Sequence, residues 1–269
     1  MTLRPAPAYA ISAAVYDRVY SWKDYGAEAR RVRALIRRYG PPDAHTLLDV
    51  ACGTGEHLET LSRWFETAGV DASAAMLAVA RKKLPRVRFV RSTMQTFRFD
   101  RQFDAITCLF SAIGYVRTPS ELRRTLRNFA GHLRPGGVVL VEPWIAPEDY
   151  RPGAVHLGKY GTAESPIARM NISERRGGRS IMDMHYLMPY RGRVRHWVER
   201  HEMGLFDDAT MRDAFVRAGL TVRRVPSRFT TNRGLYVGVK PWGHDRRSST
   251  HAPGRRRAAP GRPRRRMPR

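Results

Sequence analysis

The stretch that most limits how this chain can fold is Leu47-Leu48-Asp49-Val50-Ala51-Cys52-Gly53-Thr54-Gly55, an apolar run that ends in an acid and passes straight into a glycine turn. Apolar residues at successive positions suit a strand buried on both faces of a parallel sheet. The glycines let backbone approach a ligand where a Cβ would clash.

The flanking sequence supplies parallel neighbours. A tyrosine-rich segment over residues 1–23, with a short helix predicted over 12–20, leads to a helix capped by Asp24. Its apolar stripe is Tyr25, Ala29, Val32, Leu35, Ile36 and Tyr39, and Gly40-Pro41-Pro42 stops it. After the first strand, 46–51, the pattern predicts a helix over 56–65, a strand ending at Asp71, a Ser73-capped helix to 83 and a strand over 87–90. A strand over 103–110, a helix over 119–133 and a strand over 138–141 complete the series. Repeated β-α units of this length mean an α/β fold whose mostly parallel sheet has right-handed crossovers and helices on both faces. Residues 145–204 break the rhythm and predict an antiparallel β insertion, with strands over 180–188 and 194–203, lying over the sheet's open edge. A helix over 208–218 and a closing antiparallel hairpin, 221–225 with 235–240, end a domain spanning 1–240.

A glycine loop after a first strand can hold a phosphate, a dinucleotide or S-adenosylmethionine. No Gly-Lys-Ser/Thr follows, and Leu58 stands where the dinucleotide fingerprint needs a third glycine. What remains is Gly-x-Gly with one acid in the first strand, Asp49, and another ending the second, Asp71. That pair suits S-adenosylmethionine, which has no pyrophosphate to cradle. Asp71 is expected to accept from both ribose hydroxyls, and the Ala51 and Gly53 backbone to face the methionine part.

The formal charge is +25 over 269 residues, which draws attention to polyanions. Residues 240–269 hold eleven basic residues and one acid, and beyond Pro241 the chain is too polar to pack. Residues 241–269 therefore read as a disordered Arg/Pro-rich tail, and nucleic acid is not the expected partner. A methyltransferase acting on another small molecule or on RNA, and a non-catalytic nucleic-acid-binding protein on a methyltransferase scaffold, stay open as alternatives. Cys52 and Cys108 sit in apolar strands as reduced thiols, and no signal peptide, membrane span or metal site is expected, so the reading is cytoplasmic.

Several stretches resemble the bacterial sugar-nucleotide N,N-dimethyltransferases that dimethylate the amine of a TDP-linked deoxyamino sugar in desosamine and mycaminose biosynthesis. They are Tyr16-Asp17-x-x-Tyr20 with Lys23-Asp24-Tyr25, the glycine stretch, Asp71-x-Ser73-x-x-Met76-Leu77, and the run from Phe103 to Gly114. Val141-Glu142-Pro143-Trp144, His185-Tyr186 and Arg233-Gly234-Leu235-Tyr236-Val237-Gly238 complete the set. The resemblance implies a Rossmann-like class I methyltransferase sheet, S-adenosylmethionine as cofactor and a sugar nucleotide used in antibiotic biosynthesis as substrate. It leaves open whether the chain is a homodimer.

Residue by residue, it implies that Tyr16, Tyr25, Ala51, Asp71, Met94 and the backbone near Leu109 hold the cofactor. Tyr9, Trp144, His185, Tyr186 and Arg233 are implied to line the sugar-nucleotide site; His185 and Tyr186 lie on opposite faces of a strand, so only one can face the pocket. Without the resemblance, Tyr16 and Tyr25 read equally well as packing and Arg233 as a surface charge. Where the family has Gly-Asp-Met this chain has Ser92-Thr93-Met94, leaving Thr93 Oγ1 as the acceptor expected for the adenine amino group. Methyl transfer from a sulfonium needs a free amine held in line rather than a strong acid. Tyr115, just past the fourth strand, is the residue expected nearest that amine, as acceptor or orienter.

Overall fold

The computed structural model describes residues 4–227, 229 and 233–242. Helix α2, Tyr25–Tyr39, starts where the Asp24 side chain accepts from Ala27 N at 2.7 Å, and it buries Ala29, Val32, Leu35 and Ile36. Strand β2, Thr46–Val50, is buried throughout, as its apolar run requires. Helix α3, Glu56–Leu61, is shorter than predicted. Ser62 Oγ turns back onto the Leu58 carbonyl at 2.5 Å, and β3, Glu66–Asp71, begins soon after. Ser73 Oγ caps α4, Ala74–Lys83, from which the chain enters β4, Arg88–Arg91.

Strand β5, Phe103–Cys108, ends earlier than predicted because Phe110 and Ser111 take left-handed φ values of 51° and 60°. Helix α5, Pro119–His132, leads directly into β6, Leu133–Val141, which starts earlier than predicted and takes in Gly136 and Gly137, beside a register shift between Phe103 and Ala105. After α6, Asp208–Arg217, the hairpin β11, Thr221–Val225, and β12, Leu235–Val239, closes the sheet. The order is β4-β3-β2-β5-β6-β12-β11, parallel from β4 to β6 and antiparallel beyond. Leu48, Val50, Ile106, Phe129 and Phe215 pack on one face, and Val32, Ile36, Leu47 and Leu140 on the other.

Within the predicted bounds, 145–204, the insertion holds more strands than predicted. To β9, Arg179–Tyr190, and β10, Arg193–Gly204, the structure adds β7, Val155–Gly161, and β8, Pro166–Arg176. The short β1, Ala6–Pro7, joins parallel to β10, giving the order β1-β10-β9-β8-β7. Residues 12–20 are not one helix. Val15, at φ −121° and ψ 3°, separates a 3₁₀ turn, Ser12–Val15, from the single α turn α1, Tyr16–Val19. This N-terminal strap packs Val15 and Val19 against Ile167, Tyr186 and Trp197 of the insertion.

Most of the expected tail, residues 243–269, lies outside the described residues. Among the described residues no helix is long and apolar enough to cross a membrane.

Candidate active site

The turn after β2 is held open by left-handed backbone at Ala51 (φ 59°), Gly53 (φ 56°) and Gly55 (φ 82°). Gly53 N–H donates to Asp71 Oδ2 at 2.9 Å, and Ser73 N–H donates to Oδ1 at 2.8 Å. The carboxylate is thus pinned at the C-terminal end of β3 with lone pairs left for further donors. Burial pushes its pKa up, and the backbone N–H bonds from Ser73, Gly53 and Ala72 pull the other way.

Around it lies a cavity of about 530 Å³, whose walls include Tyr16, Ala51, Gly53, Asp71, Met94 and Leu109. A Cβ on Gly53 would meet nothing within 4 Å beyond its chain neighbours among the described residues, so that backbone faces open space in the cavity wall. A small cleft continues from it past Tyr25, Asp49 and His57. Tyr25 Oη is buried there without a hydrogen-bond partner, and burial raises the Asp49 carboxyl to about 6 although Thr107 Oγ1 donates to it at 2.7 Å. A pinned carboxylate, an open glycine backbone and an orphaned hydroxyl beside an acid fit the ribose and the amino-acid end of S-adenosylmethionine.

Thr93 is a correction. It is exposed, with Oγ1 2.7 Å from Thr96 Oγ1, and Ser92 lines the cavity instead. The physical reason is the end of β4 at Arg91: Ser92 N–H still bonds the Asp71 carbonyl at 3.1 Å and stays beside the cavity, whereas Thr93 opens a turn in which its carbonyl accepts from Thr96 N at 3.2 Å and Phe97 N at 3.1 Å.

A second cavity, about 500 Å³, shares Tyr9, Phe110 and Tyr115 with the first. The strap forms the roof. Fully buried Glu199 of β10 accepts from Ile11 N (2.6 Å), Ser12 N (2.9 Å), Ser12 Oγ (2.6 Å) and Tyr9 N (3.3 Å). On the other side Asp17 accepts from Thr54 Oγ1 at 2.5 Å and pairs with Lys83 at 2.9 Å. So held, Tyr9 takes a left-handed φ of 60°. Non-glycine residues of this kind at Tyr9, Ala51 and Phe110 all line the cavities, where strained backbone characteristically gathers.

Tyr115 Oη donates to Tyr9 Oη at 2.7 Å and lies 2.7 Å from His201 Nδ1. Burial raises the pKa of both phenols, keeping them neutral, and depresses His201 to about 4, with Arg169 adding to the effect. The junction of the cavities therefore holds three uncharged hydrogen-bonding groups.

The second cavity also takes in Trp144 and Arg233. Trp144 Nε1 donates to Ser180 Oγ at 3.0 Å, and the Arg233 guanidinium lies 4.4 Å above its ring and donates to Ser111 Oγ at 2.8 Å. Arg233 is therefore part of a wall rather than a free surface charge.

His185 and Tyr186 are not brought to the site. His185 is exposed and stacks on His196, and Tyr186 is buried in parallel stacking with Trp197, 5.0 Å between centroids, as part of the insertion's core. Alternation along β9 turns His185 outward and Met182, Met184 and Tyr186 inward; the two methionines reach the cavity wall, while Tyr186, further along the strand, is covered by Trp197 and the strap. Glu199, His201, Arg169 and Tyr20 were not found from sequence. The available signal was the parity of Trp197, Glu199, His201 and Met203, where two polar residues sit on the buried face of a strand.

A protein-family profile described as a methyltransferase domain matches residues 47–137. The chain is 42% identical over 231 residues to the dTDP-3-amino-3,4,6-trideoxy-alpha-D-glucopyranose N,N-dimethyltransferase of Streptomyces venezuelae, covering 84% of this chain and 97% of that one. The crystal structure of Streptomyces venezuelae DesVI superposes with a TM-score of 0.80 at 41% identity, covering 85% and 98%. An S-adenosylmethionine-bound amino pentose methyltransferase from Micromonospora echinaspora, involved in calicheamicin biosynthesis, gives 0.76 at 34% identity, covering 88% and 99%.

Proposed function

The chain belongs to the dTDP-amino-sugar N,N-dimethyltransferase family and is an S-adenosylmethionine-dependent N-methyltransferase, and from that premise we propose how its residues divide the work. The acceptor is the amine of a dTDP-linked deoxyamino sugar, methylated twice. The observation that carries this is the meeting of two unlike cavities at Tyr9 and Tyr115, one built around a pinned carboxylate and the other around aromatic rings and arginines.

In the first cavity, Asp71 holds the ribose hydroxyls, the Ala51 and Gly53 backbone with Tyr25 and Asp49 holds the amino-acid end, and Tyr16, Met94 and Leu109 pack on the rest. In the second, Arg233 grips phosphate, and Trp144 and Tyr9 pack on the base or the hexose. S-adenosylmethionine supplies a methyl group on a sulfonium. Tyr115 and Tyr9 would hold the amine with its lone pair toward that carbon, and the proton the amine gives up on methylation would pass to solvent. With His201 neutral and both phenols protonated, the chain contributes alignment rather than a strong base, a device worth about 7–11 kcal/mol.

The cytoplasm is the proposed compartment, in keeping with the buried free thiols Cys52 and Cys108. Self-association is proposed through the insertion's outer face, where Leu157, Met170, Ile172 and Leu187 are exposed on neighbouring strands; a monomer in sedimentation equilibrium would remove that part. Nucleic acid is not the proposed substrate.

The deciding experiment incubates the protein with S-adenosylmethionine and a dTDP-3-amino-deoxyhexose and follows mass. Gains of one and then two methyl groups are expected, with none on a dTDP-hexose lacking the amine. A chain ending at residue 242 should keep that activity and should not methylate RNA. Absence of product with every dTDP-amino sugar tried would overturn the proposal.

A further inference from the structure

The roles assigned above leave Arg169 of β8 without one. Among the described residues two arginines, Arg169 and Arg233, stand in the wall of the second cavity, and no Asp or Glu lines it. Arg169 donates to Tyr20 Oη at 2.9 Å and to Tyr160 Oη at 3.0 Å, and its guanidinium lies over both rings, 5.4 and 5.1 Å from their centroids. No carboxylate among the described residues forms an ion pair with it. Most of the arginines in ion pairs here are on the surface, whereas this one is half-buried against aromatic rings and phenol oxygens. A guanidinium removed from water in this way lacks a counter-charge unless a ligand brings one.

We propose that Arg169 is the second anion anchor of the acceptor cavity and that it holds one phosphate of a nucleoside diphosphate while Arg233 holds the other. The proposal rests on the acceptor being a sugar nucleotide. Such a diester carries one negative charge on each phosphate, and a cavity walled by Tyr20, Trp22, Trp144 and Tyr160 gives poor solvation to whichever charge is left without a cation. The two arginines come from different parts of the fold: Arg233 precedes β12 of the main sheet, and Arg169 lies on the insertion. Tyr20 and Tyr160 fix the plane of the guanidinium, so little side-chain freedom is lost when an anion arrives.

The competing account is that Arg169 only clamps the strap to β7. Calorimetric titration of the full chain with dTDP and with thymidine separates the two. Arg169→Gln should weaken dTDP roughly 10- to 100-fold, leave thymidine within about twofold and leave S-adenosylmethionine unchanged, and Arg169→Lys should recover part of the loss. Equal losses for dTDP and thymidine, or an unchanged dTDP affinity, would overturn the assignment in favour of the clamp. Should the Gln variant lose S-adenosylmethionine binding through misfolding, the wild type still decides: thymidine monophosphate held as tightly as dTDP overturns a second anchor. A wild type that binds no thymidine nucleotide fails the acceptor reading itself.

Discussion

The two cavities are similar in size and opposite in construction. The cofactor cavity is made largely from neighbouring strand ends of one parallel sheet, and its key polar contacts are backbone N–H groups and the carboxylates of Asp49 and Asp71, the latter bonded to Gly53 only 18 positions away. The acceptor cavity is assembled from the strap, the loops after β5 and β6, the insertion and the loop before β12. Its ties are long: Glu199 reaches Ile11 across 188 positions and Tyr115 reaches Tyr9 across 106. On the proposed reading, the ligand common to many enzymes meets short-range geometry set by the motif, and the acceptor meets side chains that only the completed fold brings together.

That contrast can be broken most severely at Asp71. Asp71→Asn removes the charge offered to two hydroxyls and should weaken S-adenosylmethionine roughly 100-fold, while dTDP affinity by calorimetry stays within about twofold. A matching loss of dTDP would mean that the cavities are not energetically separate. A smaller effect is expected from pH. The Asp49 carboxyl sits at about 6 in the ligand-free protein. A ligand bearing an ammonium and a sulfonium favours its charged form, so binding releases a proton and affinity rises with pH, by about tenfold between pH 5 and 7. Asp49→Asn should flatten that dependence, and a slope that survives in the variant would assign it to another group. The smallest effect is expected at the shared wall: Tyr115→Phe keeps the ring and removes the oxygen between Tyr9 and His201. Turnover should fall roughly three- to tenfold with both KM values held, because only alignment at the junction is lost. An unchanged rate would reduce the junction to packing.

The same contrast explains what could be read in the sequence. Asp49, Gly53 and Asp71 were legible because a strand, a glycine turn and the next strand's end are fixed by covalent proximity. Strands β7 and β8 escaped because arginines and glycines on both parities erase the alternation that marks a half-buried strand. Arg233 could be placed only by resemblance, since nothing local distinguishes it from the other arginines, whereas its burial against Trp144 comes from two segments meeting. His185 was misplaced by strand parity, Tyr186 by its position further along the inward face of β9, where the strap and Trp197 cover it, and Thr93 by the turn that follows the end of β4. Glu199 and His201 were passed over because a polar residue on an apolar face looks like an interruption until its partner, which here lies in the strap or the β5 loop, is known.

The four bonds that Glu199 accepts from the strap bear on how this scaffold could be reshaped. An insertion grafted from a relative to alter acceptor choice would bring a new β10 but leave Tyr9, Ile11 and Ser12 behind, fitted to the Glu199 carboxylate of the strand that was replaced. Residues 6–20 and the insertion are therefore one exchangeable cassette, split in sequence and single in space, and a recombination boundary drawn between them would separate the roof from the wall it hangs on.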